Sequence, residues 1–286
     1  MRFPTSVALS LFFALSMGLP AQSPARLDFY NTTRGFGTFA LGGPTSTVIA
    51  PGEAGVVSLA GSPGATTALV VSLTPPPLGG VAYQGVPVGV DWTSLTVLWD
   101  GFSDPSAPII PVAGVLLVNV VVPPSLPLGT NFYLQAIVAG LGPGPPSLTN
   151  AIVVTVAAAP LSTIPNPSPN SAHPLAQSSA GGLLIVADQP SWTGFWSLHA
   201  PGAGPPPPVD FSAHFVLASF QGFRPFGGTI SVLGAYLDAS GVLQVYTMET
   251  YPGIPAPPST AFDLVLMPMS SLASSAVEHR TQLFLP

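Results

Sequence analysis

The sequence predicts a mostly β chain, with an N-terminal antiparallel β-sandwich followed by an α+β domain in which an antiparallel sheet carries one helix. Three observations carry this expectation. Short apolar runs, some alternating with period two, recur between residues 26 and 158 and are separated by Pro/Gly clusters. A single segment, 191–200, has helical spacing instead. Beyond residue 213, further apolar runs are spaced as the strands of an antiparallel sheet.

Taken in order, Met1-Arg2 supplies a positive start, "VALSLFFALSMGL" (7–19) a short apolar stretch and "PAQSPA" (20–25) small residues suited to cleavage. Residues 1–25 are therefore expected to be a signal peptide. The first domain, 26–158, has its clearest strands in "TALVVSLT" (67–74), "SLTVLW" (94–99), "VAGVLLVNVVV" (112–122), "NFYLQAIVA" (131–139) and "NAIVVTV" (150–156). Within 131–139, Phe132, Leu134, Ala136 and Val138 share one face, as period two requires. The run 112–122, β-branched and interrupted by Asn119, is expected to be a buried strand. Between the strands lie "TPPPLGG", "DGFSDPSAP", "PPSLPLG" and "GLGPGPP", where fixed φ and missing donors end a ladder.

Residues 159–179, rich in Pro, Ser and Asn, are expected to be a linker or an irregular first strand of the next domain. The second domain, 180–286, opens with "SWTGFWSLHA", where Trp192, Phe195, Trp196 and His199 fall on one helical face and Ser191 is a plausible N-cap. Strands are expected at 214–221, 229–237, 242–250 and 261–268, with "DASG" (238–241) closing a hairpin.

Composition narrows the function classes. The chain has no cysteine, so neither a disulfide framework nor a lipidated N-terminal cysteine is available. No apolar run reaches the roughly 20 residues that span a bilayer, so no transmembrane anchor is expected, and without cysteine no lipid anchor either. Loss of Arg2 with the signal would leave a net charge of about −7, which disfavours nucleic acid and anionic membranes as partners. Despite 37 prolines and 30 glycines, 47% of residues are hydrophobic, enough to offset ordering entropy. The expected product is folded and exported, whether periplasmic, surface-held or extracellular.

The second half also carries a resemblance. "SWTGFWSLH", "VDFSAHFVLASFQGFRPFGGTISV", a hairpin, "VYTMETYPG" and "FDLVLMP" together resemble the C-terminal domain of the protease complex subunit PrcB family over roughly residues 180–270. The matching positions are Trp192 and Trp196 on the helix, then Val209, Asp210, Phe211 and Ser212. They continue through the loop residues Gly222, Pro225, Gly227 and Gly228 to Pro252-Gly253 and Pro268. Phe226 and Thr229 replace a Thr and an aromatic around the paired glycines, and Ala261 replaces a proline. The first half, most clearly at 127–156, resembles a Pro/Gly-rich β module of exported bacterial proteins. These resemblances imply a non-enzymatic protein that binds, assembles or stabilises an extracytoplasmic complex of protease type, with a protein partner such as an exported protease. A structural or cell-surface envelope protein is the alternative, and a secreted hydrolase is third.

Each chemical motif has a structural reading beside it. There is no Gly-x-Ser-x-Gly elbow and no cysteine nucleophile, so no catalytic residue is expected. His173, His199, His214 and His279 lack metal-ligand spacing, and Asp100 and Asp104 in "DGFSDP" lack the acid count of a calcium loop; neither metal nor cofactor is expected. Asp210 is expected to cap a turn, and Trp192 and Trp196 to anchor a core. In "GFRPFGGT", Gly227-Gly228 permit positive φ, which suits a tight connection between two adjacent strands, with Arg224 stacked on an aromatic neighbour or paired with an acid. Phe223, Arg224 and Phe226 form a candidate protein-contact loop, because aromatics and Arg are enriched in binding hot spots.

Overall fold

The computed structural model describes residues 25–38, 46–77, 80–104, 106–139, 144–251, 256–272 and 277–284, with the backbone alone for residues 271 and 277–284. The expected signal peptide up to residue 24 and the Pro252-Gly253 turn lie outside the described residues. Strand outweighs helix, 44% to 7%, and the chain is mostly β.

In the first half, β1 (Arg26–Asn31), β2 (Phe36–Gly37), β4 (Ala54–Ala60) and β9 (Val115–Val121) form an antiparallel sheet in the order β2-β1-β4-β9. A second sheet runs β3-β12-β10-β5-β8, from β3 (Ser46–Ile49), β5 (Thr66–Ser72), β8 (Thr96–Asp100), β10 (Asn131–Ala139) and β12 (Ile152–Val156). Only the β3–β12 pair in it is parallel. Short β11 (Ser147–Leu148) adds to β10, and β6 (Ala82–Tyr83) pairs with β7 (Val86–Pro87) apart from both sheets. Alternate residues explain why the sheets face each other. Leu27 and Phe29, Val57 and Leu59, Leu69 and Val71, and Leu134, Ala136 and Val138 point into one shared hydrophobic cluster.

The run 112–122 departs from expectation. It is not buried on both faces: β9 starts only at Val115 and forms the edge of its sheet. Leu117 and Val121 are 65% and 67% exposed. A continuous apolar run has the composition of a doubly covered strand, but only the order of strands in the sheet decides how many neighbours it receives.

In the second half, β13 (Ser162–Thr163), β14 (Gly182–Val186), β15 (His214–Phe220) and β18 (Phe262–Pro268) form an antiparallel sheet in the order β13-β18-β15-β14. Against it lies a sheet of β16 (Thr229–Leu237), β17 (Leu243–Thr250) and β19 (Val277–Phe284), in which β19 runs parallel to β17. The segment 159–179 contributes β13 and a four-residue helix, α1 (Pro174–Gln177), a second helix beside the expected one. Helix α2 (Gln189–His199) covers the other face of the β15-containing sheet, and Trp192, Phe195, Trp196 and His199 are all buried, as their spacing predicts. Its cap is Asp188, not Ser191; the Asp188 carboxylate accepts the Ser191 N–H at 2.8 Å. The sheet is therefore covered on both sides. Val216, Ala218 and Phe220 pack toward the helix while Phe215 and Leu217 pack toward β16 and β17.

Strict alternation fails in β16, where a bulge between Val232 and Gly234 shifts the register. Val232 and Ala235 then face the same cluster, while Leu233 turns toward the first half of the chain. There it packs with Phe36, Val48, Ala157 and Tyr246 in a cluster shared by both halves. Ala158 and Ala235 exchange backbone hydrogen bonds of 2.9 and 3.1 Å at the same place. A Cβ on Gly234 would lie 2.9 Å from the Ala158 carbonyl oxygen, so this close approach requires glycine.

Candidate functional site

The loop from Gly222 to Gly228 joins β15 to β16, which are not adjacent strands as expected but belong to different sheets. Such a crossing needs a sharp change of direction, and Gly222 (φ 79°) and Gly227 (φ 78°) supply it from the left-handed region. Gly222 also presses against other backbone; a Cβ there would sit 2.6 Å from the Ser178 carbonyl oxygen. The loop is tied down along its length. Phe223 N–H donates to Ser178 O at 2.8 Å, and Arg224 and Ser259 exchange two bonds of 2.9 Å.

Arg224 turns inward. Its Nε donates to the Tyr251 hydroxyl at 3.1 Å, Nη1 to the Ser179 carbonyl at 3.0 Å, and Nη2 reaches the Glu249 carboxylate at 3.4 Å. The Tyr251 hydroxyl donates to the same Glu249 oxygen at 2.6 Å, and Gln221 Nε2 at 3.3 Å. Burial pulls the Arg224 pKa down, but Tyr251 and the Glu249 charge outweigh it and the net shift is upward. Burial, followed by the bond to Glu249, raises the Tyr251 phenol in turn. The arginine acts as a strut under the loop, and its guanidinium is committed to partners within the chain.

Phe223 and Phe226 go the other way, 46% and 68% exposed, with Pro225 also exposed between them. The three residues of the candidate contact loop are thus neighbours with divided tasks. Arg224 holds the loop, and the two phenylalanines face solvent. Glu249, Tyr251 and Gln221 were not among the sequence candidates. A lone acid in the otherwise uncharged run "VLQVYTMET" was the available signal, since a charge on a strand bound for the core needs a partner.

Trp192 and Trp196 lie away from the loop in the helix-side core, and Trp192 Nε1 donates to Pro207 O at 2.8 Å, fixing the proline loop before β15. Asp210 accepts from both the N–H and the hydroxyl of Ser212, at 3.0 and 2.6 Å, while Phe211 packs into the helix-side core. The same Asp-x-Ser/Thr turn recurs at Asp91-Thr93, Asp104-Ser106 and Asp238-Ser240. Hydrogen bonds from the Ser212 hydroxyl hold the Asp210 carboxyl below the ordinary carboxylate range, and those at the Ser240 turn bring Asp238 to about 2. Asp100 is likewise spent on Phe102 N–H and the Ser103 hydroxyl.

His199 is a structural histidine. Its Nε2 meets the Asn166 amide at 2.5 Å and its Nδ1 the Ser171 hydroxyl at 2.7 Å, anchoring the segment 166–171 on the end of α2. Burial, with a smaller contribution from His173, lowers its pKa to about 4, so the ring is neutral.

A concavity of about 460 Å³ opens where the two halves meet and is lined by Arg34, Phe36, Ser162, Ser231, Leu233 and Asp263 among others. Its charged groups are already engaged. Arg34 Nε pairs with Glu53 at 2.8 Å and a terminal nitrogen donates to the Leu233 carbonyl, while Asp263 accepts the Val232 N–H at 2.7 Å. The three arginines whose side chains are described, Arg26, Arg34 and Arg224, are all held in ion pairs, with Asp28, Glu53 and Glu249. Among the described residues there is no cluster of three or more His, Asp or Glu able to hold a metal ion, and no helix long and apolar enough to cross a membrane. In comparisons with known proteins, the chain matches no family model and no curated protein.

Proposed function

We propose that this chain is an exported, non-enzymatic binding protein that docks a protein partner through Phe223 and Phe226. It would thereby help assemble or stabilise an extracytoplasmic complex of the kind its resemblance to the PrcB C-terminal domain implies. The observation that carries the reading is the pair of exposed aromatic rings on a loop pinned from beneath by Arg224, Ser178 and Ser259. An exposed phenylalanine on a loose loop costs ordering entropy when it binds, whereas a braced one has little left to lose. Aromatic side chains at such positions are frequent binding anchors. The side chains a hydrolase would need are held in local structure. The Ser212 hydroxyl donates to Asp210, and His199 is enclosed by Asn166 and Ser171.

The test is site-specific photo-crosslinking from position 226 in the exported fraction of the native cell, beside the Phe223→Ala, Phe226→Ala double variant. A discrete crosslinked protein species that disappears in the double variant, with thermal unfolding unchanged, supports the reading. Absence of any crosslinked species, or full retention of partner binding by the double variant, refutes it.

A further inference from the structure

We infer that β9 pairs with β9 of a second copy of this chain, joining two β2-β1-β4-β9 sheets across a two-fold axis. The inference is independent of the role given to the loop at 222–228. It starts from what the edge lacks. Sheet edges in soluble proteins are usually blunted by a proline, a charge, a bulge or a very short strand, because their unpaired backbone groups template further pairing. Here β9 has seven residues, "VLLVNVV", with no proline or charge, and pairs with β4 through seven consecutive positions without a register shift.

The outer face beside that edge is also uncharged. Val115, Leu117, Asn119 and Val121 stand next to Ala60, Ser58, Val56 and Ala54 of β4 in cross-strand register. The first charged groups on this face among the described residues, Arg26 and Asp28, are two strands away on β1 and neutralise each other at 2.7 Å. A chain of net charge −6 repels its copies over most approaches, and this edge is one along which they can meet without opposing charges.

The edge is complementary to itself as well. Antiparallel pairing centred on Val118 sets Val115 opposite Val121, Leu116 opposite Val120 and Leu117 opposite Asn119 of the second copy, with inner and outer faces kept in phase. Leu116 and Val120, now only partly buried against the core, would gain neighbours on their open side. The arrangement is isologous and closes at two copies.

Sedimentation of the purified chain at about 100 μM, a concentration that fills any interface of micromolar affinity, should give a dimer. A Leu117→Lys, Val121→Lys variant places like charges across the junction at positions already facing solvent. It should sediment at half the mass with unchanged thermal unfolding. Because the chain has no native cysteine, a Leu117→Cys, Asn119→Cys variant reads the register. Mild oxidation should yield a covalent dimer that a Ser58→Cys control does not. A wild-type monomer, or a dimer indifferent to the lysines, overturns the assignment. So does a monomer whose β9 amides resist hydrogen exchange, since its own chain would then cover the edge.

Discussion

Arg34, in the turn between β1 and β2, donates through its guanidinium to the main-chain carbonyl of Leu233, some two hundred residues later in β16. That carbonyl is available because the bulge at Val232–Gly234 turns it out of the ladder, and Glu53, paired with Arg34 at 2.8 Å, holds the arginine in position. A register irregularity in one half of the chain is therefore the acceptor for the only described cation of the β1–β2 turn in the other.

Replacing Arg34 by Met should leave the Glu53 carboxylate largely buried beside Asn31 and the Ala50 N–H without its counter-charge. Breaking such a pair costs about 3 kcal/mol. Chemical denaturation should show that loss, and adding Glu53→Gln should restore part of it. An Arg34→Met variant as stable as the wild type would mean that the two halves are held by the Phe36, Val48, Ala157, Leu233 and Tyr246 cluster and the Ala158–Ala235 backbone bonds without help from the arginine.

The loop residues should separate cleanly into two kinds. Arg224→Met removes the partner of a buried carboxylate and should cost about 2 kcal/mol. Phe226→Ala, at an exposed position, should stay within about 0.5 kcal/mol of wild type. Denaturant midpoints of the two variants compared side by side are the measurement.

His199 makes stability depend on pH in a defined direction. Its folded pKa of about 4 lies below its ordinary value of 6.5, chiefly through burial. The unfolded chain therefore takes up the proton first as pH falls. Stability from this group is full above pH 6.5, declines between 6.5 and about 4, and changes little below. The span corresponds to about 3 kcal/mol. In His199→Gln the slope over that window should flatten, as followed by unfolding at a series of pH values.

Asp263 acts with the opposite sign. Burial raises its pKa despite the N–H groups of Val232 and Leu264 that oppose the shift. The native state keeps the proton longer than the unfolded chain, so this group's effect on stability worsens as pH rises through its folded pKa. Asp263→Asn keeps an acceptor for the Val232 N–H and should be more stable than wild type at neutral pH. That advantage should disappear in acid below about pH 4, where the Asp263 carboxyl is protonated in the folded and the unfolded chain alike.

Much of the fold was legible because it rests on period. The strand Asn131–Ala139 and the helix face of Trp192, Phe195, Trp196 and His199 appear where alternation and helical spacing put them. Strands β1 and β4 escaped notice because polar and small residues on their outer faces, Arg26, Asp28, Ala54 and Ser58, dilute the apolar pattern. The edge position of β9 and the bulge in β16 were not legible, since both depend on which strand lies alongside rather than on the strand's own residues. At the loop, the glycines announced a turn and the phenylalanines an unusual surface. Pairing of Arg224 with an acid was among the readings of the loop, but the partner's identity was not legible, because Glu249 stands 25 residues on in another strand, with Tyr251 just beyond it.

The ion-paired arginines also govern how the chain meets trypsin-like proteases. Such enzymes cut after Lys or Arg, this sequence contains no lysine, and each described arginine side chain is folded against Asp28, Glu53 or Glu249 and not offered to a specificity pocket. Cleavage after Arg34 first requires the junction between the two halves to open, and the bond after Arg224 leads into Pro225, which such enzymes leave uncut. Against such enzymes the pairing of the described arginines doubles as chemical concealment, and exposure of Arg34 follows the stability of the junction that holds it.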